Sequence, residues 1–197
     1  MNYYISDTHF GHVNIIKHDA NNGGKVFSSV EEHDNLIIEN WNKVVTPQDN
    51  VYILGDFSWL HARETEELIK KLNGAKFLLR GNHDRWCKDA ACKKLFQGIY
   101  DIKQIEDNGR QVILCHYPIM MYQGQHRGIV HLYGHTHNSK EHDDYQDFIS
   151  QLDKRIKERD GDRYKALQAY NVGCMLNYMD YTPRTLDEII AANKEII

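Results

Sequence analysis

Short apolar runs alternate along the chain with stretches whose apolar residues recur at helical spacing, the pattern of an α/β protein. The runs predict strands at Asn2–Ser6, Val51–Leu54, Lys76–Leu79, Tyr100–Glu106, Gln111–Cys115, Val130–Tyr133 and Ala169–Val172. Asp107-Asn108-Gly109-Arg110, between the fourth run and the fifth, signals a hairpin turn. Helices fill the gaps. Ser29 and Glu32 form a capping box opening a helix to about Val44, in which Ile37, Trp41, Val44 and Val45 keep helical spacing and Pro47 lies just beyond. A second helix is expected from about Arg63 to Leu72, stopped at Gly74, and Thr185 with Glu188 opens a last one. The charged stretch Asp143–Asp160 keeps one apolar stripe of Phe148, Ile149, Leu152 and Ile156, and is expected to lie on the core as a peripheral helix.

The polar clusters fall at particular places in this pattern. Asp7, Asp56, Asn82, His116 and His135 each follow a predicted strand, directly or after a very short turn. Strand ends that converge on one edge would gather these side chains, and α/β folds commonly bind ligands outside strand C-termini.

Composition narrows the picture. The chain has 197 residues, 41% hydrophobic and 26% charged, enough to bury a core as a single domain over residues 1–197. Its net charge of −4 argues against a broad basic face that coats nucleic acid, but leaves a nucleotide or a nucleic-acid end open as substrate. The one basic run, Lys154 to Arg163, is offset by Asp153, Glu158, Asp160 and Asp162 and reads as a solvated helix face. No apolar run is long enough to span a membrane, and the first six residues do not form a signal peptide. The four cysteines stand at no zinc-ribbon or redox spacing, with Cys115 and Cys174 expected as small buried hydrophobes. These features predict a cytoplasmic protein without membrane association and leave its oligomeric state open. Histidine is the anomaly: there are twelve, several beside Asp, Asn or Gly.

Five short motifs concentrate the chemistry: Asp7-Thr8-His9, Gly55-Asp56, Gly81-Asn82-His83-Asp84, Cys115-His116-Tyr117-Pro118 and Gly134-His135-Thr136-His137. Residues i and i+2 of an extended chain point to one side, so Asp7 and His9 can reach one metal, and His135 and His137 one cleft. Carboxylate, amide oxygen and imidazole without thiolate suit Mn, Fe, Ni or Zn in five- or six-coordinate geometry. Two divalent ions would bring roughly +4 and the two aspartates about −2, leaving about +2 to attract and polarise a phosphate.

With these motifs in this order, the chain resembles the calcineurin-like metallophosphoesterase superfamily, and Asn171-Val172-Gly173 after the last strand matches it as well. The resemblance implies a four-layer αββα sandwich, two mixed sheets packed together with helices outside. It implies Asp7, His9 and His137 as ligands of a first metal, Asn82, His116 and His135 as ligands of a second, and Asp56 bridging both. Manganese is the expected metal, with Fe, Ni or Zn as alternatives. A metal-bridging hydroxide would attack phosphorus, His83 would stabilise charge and protonate the leaving oxygen, and Asp84 would orient the His83 ring. The expected activity is hydrolysis of small phosphate esters, with diesters slightly preferred. The alternatives are a phosphomonoesterase or nucleotide phosphatase, and a non-catalytic interaction scaffold of the same fold.

The residues expected to hold substrate are His12, Arg85, His126 and Arg127. His12 reads equally as a surface or helix-start histidine. His126 and Arg127 lie in a glycine-bounded loop, Gly124 to Gly128, that precedes the strand feeding His135. Trp41, Trp59 and Trp86 read mainly as core and cleft packing, with Trp86 also placed to stack on an aromatic leaving group.

Overall fold

A computed structural model describes residues 1–194 as two mixed sheets between helices. The first sheet holds β1 (Asn2–Ile5), β2 (Asn50–Ile53), β3 (Ala75–Leu79), β4 (Phe96–Tyr100) and β9 (Arg184–Thr185), in the order β4-β3-β2-β1-β9. Its first four strands run parallel and β9 pairs antiparallel with β1. The second sheet has the order β5-β6-β7-β8, from β5 (Ile102–Asp107), β6 (Arg110–Cys115), β7 (Val130–Tyr133) and β8 (Gln168–Asn171). Here β5 and β6 form the antiparallel hairpin expected at Asn108-Gly109, and β6, β7 and β8 are parallel.

One expected strand is corrected. The run Tyr100–Glu106 is divided between β4 and β5, which belong to different sheets. The chain changes sheets at Asp101, an exposed residue whose carboxylate takes a bidentate pair from Arg80 at 2.6 and 2.9 Å. Tyr100 and Ile102 stand on either side of Asp101 as they would in one alternating strand, so periodicity alone carries no mark of the corner.

Alternation decides what each face of a strand meets. On one face of the first sheet Tyr4, Tyr52 and Phe77 sit in register and stack, with centroids 5.6 and 4.8 Å apart. Tyr4 reaches the second sheet, donating its hydroxyl to Asp107 Oδ2 at 2.7 Å. Val112, Leu114, Val130 and Leu132 of the second sheet join the same core. Ile37 and Trp41 of α2 (Val30–Val44), Leu68 and Ile69 of α3 (Ala62–Lys71) and Ile189 of α6 (Leu186–Lys194) cover the first sheet's other face. Trp41 is fully buried and donates Nε1–H to the Asn73 carbonyl, so Trp41→Ala would cost roughly 3–5 kcal/mol. α5 (Lys140–Asp160) lays Tyr145 and Ile149 of its apolar stripe against Tyr133 and Ala169 on the outside of the second sheet. The layers are therefore helix, sheet, sheet, helix.

Two short helices come in addition to the expected ones: α1 (Ile15–Asn21) and α4 (Ala90–Lys93). All four cysteines are free and buried. Among the described residues no helix is long and apolar enough to cross a membrane. At the C-terminal edge of the strands the sheets are tied together. Ser6 N–H donates to Val172 O at 2.8 Å and Cys174 N–H donates to Ser6 O at 2.9 Å, a bridge between the ends of β1 and β8.

Candidate metal centre

That edge carries the histidines and carboxylates. Asp7, Asp56, Asn82, His116 and His135 leave β1, β2, β3, β6 and β7 within three residues of their C-terminal ends. Parallel direction within each sheet brings the ends to one side, and the Ser6–Gly173 bridge closes the gap between the sheets. The turns are tight enough to exclude side chains. A Cβ on Gly81 would overlap Asp56 Oδ1, and one on Gly134 would overlap Ser6 Oγ and Asp7 Oδ2. Asp7, His9, Asp56, His135 and His137 all adopt left-handed backbone, with φ of 55°, 42°, 49°, 69° and 47°. For residues with a Cβ this costs on the order of 1–3 kcal/mol each, and it persists only where the surroundings enforce it.

Two donor groups result. In the first, His9 Nε2 lies 3.2 Å from His137 Nε2, and Asp7 Oδ1 is 4.0 and 3.7 Å from these two nitrogens. In the second, His116 Nε2 lies 3.1 Å from Asn82 Oδ1 and 3.6 Å from Asp56 Oδ2, and His135 completes the cluster. Asp56 Oδ2 stands between the groups, also 3.8 Å from His9 Nε2.

The hydrogen bonds around these atoms show what they can accept. A carbonyl only accepts, so the 2.7 Å contact from His116 Nδ1 to Leu54 O places the ring proton on Nδ1. In the neutral ring Nε2 is then a lone pair, turned toward an amide oxygen and a carboxylate oxygen. Asp7 uses Oδ2 to accept His135 N–H at 2.9 Å, and its buried Oδ1 has no partner among the described residues. Acceptors that face acceptors at this spacing fit a cation between them. Burial, with the neighbouring His137, His12 and His83, holds the His9 pKa well below its ordinary range. Burial also lowers the pKa of His135, keeping both rings in the neutral form that binds metal. Burial opposes charge on His137 too, but Asp19, Asp7 and Asp56 outweigh it and its pKa is raised. Burial and the Asp7 charge raise that of Asp56.

His83 lies at the mouth of this cluster, its side chain 37% exposed and Nε2 4.0 Å from Asp56 Oδ2. Its backbone N–H donates to Asp56 Oδ1 at 2.8 Å. Asp84 departs from expectation. Its hydrogen bonds go to backbone rather than to the His83 ring: Oδ2 accepts from Asp56 N–H and Gly81 N–H at 3.0 and 2.8 Å, and Oδ1 from Phe57 N–H at 2.9 Å. The carboxylate therefore pins the loops after β2 and β3 to each other. Burial pushes its pKa up to about 6, against the pull of those N–H groups.

His12 stacks on Trp59 at 4.1 Å and 12°, and Trp59 also leans on His83 at 4.4 Å. Arg85 opens a 3₁₀ turn (Arg85–Lys88) and is exposed beside His83. His126 and Arg127 require a correction: they lie exposed on a turn (Gln125–Arg127) at the N-terminal end of β7, and the motif His135-Thr136-His137 follows the other end. The turn packs against the start of β8, where Gln168 Nε2 donates to Gly128 O at 3.3 Å. Adjacency to a strand does not say which end of it faces the site.

Of three further residues near the site, Asp19 was not singled out by sequence, Asn171 entered only through the family resemblance, and Trp59 only as core or cleft packing. Asp19 of α1 is buried, and its Oδ1 lies 3.7 Å from His137 Nδ1 and 3.5 Å from His18 Nδ1; neither Asp19 Oδ1 nor His137 Nδ1 has a hydrogen-bond partner among the described residues. Nothing local marks it, because α1 reaches the site only through the fold. Asn171 holds the histidine loop, donating Nδ2–H to His137 O at 2.9 Å and to Thr136 Oγ1 at 3.2 Å. Trp59, three residues after Asp56, takes the cleft position expected of it, against His12 and His83.

No family model matches the chain. An uncharacterized protein of Methanocaldococcus jannaschii, MJ1445, is 38% identical over 156 residues, which is 78% of this chain and 78% of that one. The Gene 66 protein of Mycobacterium phage D29 is 30% identical over 165 residues, 69% of this chain and 78% of its own. Among solved structures, a protein of unknown function from Aquifex aeolicus, AQ665, superposes over 100% of this chain and 99% of its own, with a TM-score of 0.65 and 27% identity. A phosphoesterase from E. coli, Yfce, overlaps 69% of each chain at a TM-score of 0.33 and 18% identity. By its identity to the archaeal and phage proteins over more than two thirds of each, the chain belongs to their family.

Proposed function

We propose that this chain is a metal-dependent phosphoesterase of the calcineurin-like type, with phosphodiesters slightly preferred over monoesters. The observation that carries the reading is the facing of acceptors: His116 Nε2 against the oxygens of Asp56 and Asn82, beside a buried Asp7 Oδ1 without a partner among the described residues. Asp7, His9 and His137 would hold one divalent ion, Asn82, His116 and His135 a second, and Asp56 both. The oxygen and imidazole donors suit manganese, with iron, nickel or zinc as alternatives. When bound, the ions supply Lewis-acid polarisation of the phosphate and a water of lowered pKa.

The chain's own residues do the rest. Asp84 and the backbone it pins keep the Asp56 and Asn82 loops in mutual register, and Asn171 does the same for the His137 loop. Trp59 and His12 pack one flank of the site and restrict the swing of the His83 ring. His83 sits where it can stabilise charge on the phosphate and deliver a proton to the departing oxygen. In the balanced reaction, the water oxygen bonds to phosphorus, the phosphorus–oxygen bond to the leaving group breaks, the leaving oxygen takes the His83 proton, and a water proton is released. The diester preference rests on an open flank, where His83 and Trp59 are 37% and 46% exposed.

The test is hydrolysis of bis-p-nitrophenyl phosphate and p-nitrophenyl phosphate, with manganese and with chelator. Faster turnover of the diester, abolished by chelator, is expected. Turnover of the monoester alone would make the protein a phosphomonoesterase. Two bound metals without hydrolysis of either ester would favour the scaffold alternative.

A further inference from the structure

Tyr117 directly follows His116 at the end of β6 and meets all three residues assigned to the second ion. Its ring packs edge-on against those of His116 and His135, with centroids 4.9 and 4.7 Å apart and planes inclined by 71° and 61°. Its hydroxyl lies 3.5 Å from Asn82 Oδ1. That is longer than the roughly 2.5–3.0 Å of an ordinary O–H···O bond, so Asn82 leaves the phenolic proton free for a better acceptor. The chain that follows is pinned: Ile119 N–H donates to His131 Nε2 at 3.0 Å, and Tyr145 donates its hydroxyl to Ile119 O at 2.9 Å. Tyr117 is 45% exposed and, with Asn82, Arg85 and Lys88, borders a cavity of about 430 Å³. Arg80 also lines that cavity but is paired with Asp101, while Arg85 and Lys88 add positive charge.

We propose that the Tyr117 hydroxyl is a substrate-binding donor that holds a phosphate oxygen over the second donor group; the inference rests on the phosphoesterase reading above. His83 and Tyr117 stand on different flanks of the centre. The His83 ring neighbours His9, of the first group, at 5.8 Å, whereas Tyr117 neighbours His116 and His135, of the second. A phosphate that spans both groups therefore meets an imidazole at one flank and a phenol at the other. A phenol suits the task. Its O–H donates to an anionic oxygen, and a ring already fixed by its neighbours needs little reordering when the phosphate arrives. The oxygen it holds stays on phosphorus throughout the reaction, so the contact strengthens binding of ester, transition state and product alike.

Tyr117→Phe with inorganic phosphate as probe provides the test, because Phe keeps the ring against both histidines and removes only the hydroxyl. In the manganese-loaded full chain the substitution is expected to weaken phosphate binding, read by calorimetry, about tenfold or more. For bis-p-nitrophenyl phosphate it should raise KM by about the same factor and leave kcat within about twofold of wild type, with metal content by elemental analysis unchanged. Phosphate affinity within about twofold of wild type, or a fall confined to kcat, would overturn the proposal. So would loss of metal in Tyr117→Phe, which would make the hydroxyl a structural partner of Asn82. If the wild type hydrolyses the ester and Tyr117→Phe binds phosphate as tightly, the Tyr117 assignment falls alone. If the wild type hydrolyses no ester while phosphate binding still weakens in Tyr117→Phe, the phosphoesterase reading falls and Tyr117 stands as an anion-binding residue.

Discussion

Two loops that begin at a glycine and carry histidine flank β7, and they behave in opposite ways. Before the strand, Gly124 to Gly128 places its left-handed residues on glycines, at φ of 72° and 84°, and leaves His126 and Arg127 exposed. After the strand, the left-handed positions fall on His135 and His137 instead. The first loop closes on itself, with Arg127 N–H to Gly124 O at 2.8 Å and Gly128 N–H to Gln125 O at 3.2 Å. The second is held from a distance, by Gly134 N–H to His116 O, His135 N–H to Asp7 Oδ2 and Asn171 Nδ2–H to His137 O, each at 2.9 Å. Local composition is therefore a poor guide to a site. Strain carried by a residue with a side chain, and enforced by distant partners, is a better one.

The largest effects should come from the enforced side of this contrast. Asp56→Asn is expected to lower metal content and to cut bis-p-nitrophenyl phosphate turnover by about 10³-fold or more, since several kcal/mol of charge stabilisation depends on the ions. His83→Ala should cut turnover by about 10²–10⁴-fold while metal content, read by elemental analysis, stays at the wild-type level. Wild-type turnover in that variant would remove His83 from the mechanism.

Asp19→Asn comes next. A carboxylate behind a ligating imidazole fixes the ring and raises its basicity, so metal affinity by calorimetry should drop about 10–100-fold. The drop should be confined to one of the two binding events. An equal loss at both, or none, would make Asp19 a packing residue only.

β7 itself offers a contrast with the loops. His131 is buried with both ring nitrogens engaged, Nδ1 with Ile113 O and Nε2 with Ile119 N–H. Burial pushes its pKa from 6.5 down to about 4, so the folded state favours the neutral ring. Its contribution is complete above the unfolded value near 6.5 and is lost as pH falls toward 4, roughly 3 kcal/mol in all. Urea midpoints of the metal-free chain at pH 7 and 4.5 should show this loss, and His131→Gln should shrink it. The smallest effect belongs to the exposed loop. His126→Ala with Arg127→Ala should leave kcat/KM within about twofold of wild type, as expected for surface residues away from the site. A larger fall would return that loop to the substrate.

Much of the fold can be read from periodicity. The capping serine Ser29, the hairpin at Asn108-Gly109 and the stripe of α5 are local patterns with local causes. The sheet change at Asp101 is not, because one polar residue between Tyr100 and Ile102 is also what a single alternating strand would show. The positions of Asp7, His9, Asp56, Asn82, His116, His135 and His137 are legible as polar residues at strand ends, and the structure brings all seven to one edge. The role of Asp84 was not legible, because its partners are backbone groups of two other loops.

By itself the sequence determined most of the elements, the residue types available for chemistry and their spacing along each strand end, since these depend on contacts a few residues apart. Only the tertiary structure decided that the edge after β7 bears the site while the edge before it does not. It alone also delivered Asp19 to His137. Strand direction and sheet order bring together groups more than a hundred residues apart, and nothing in the local pattern of either partner records that meeting.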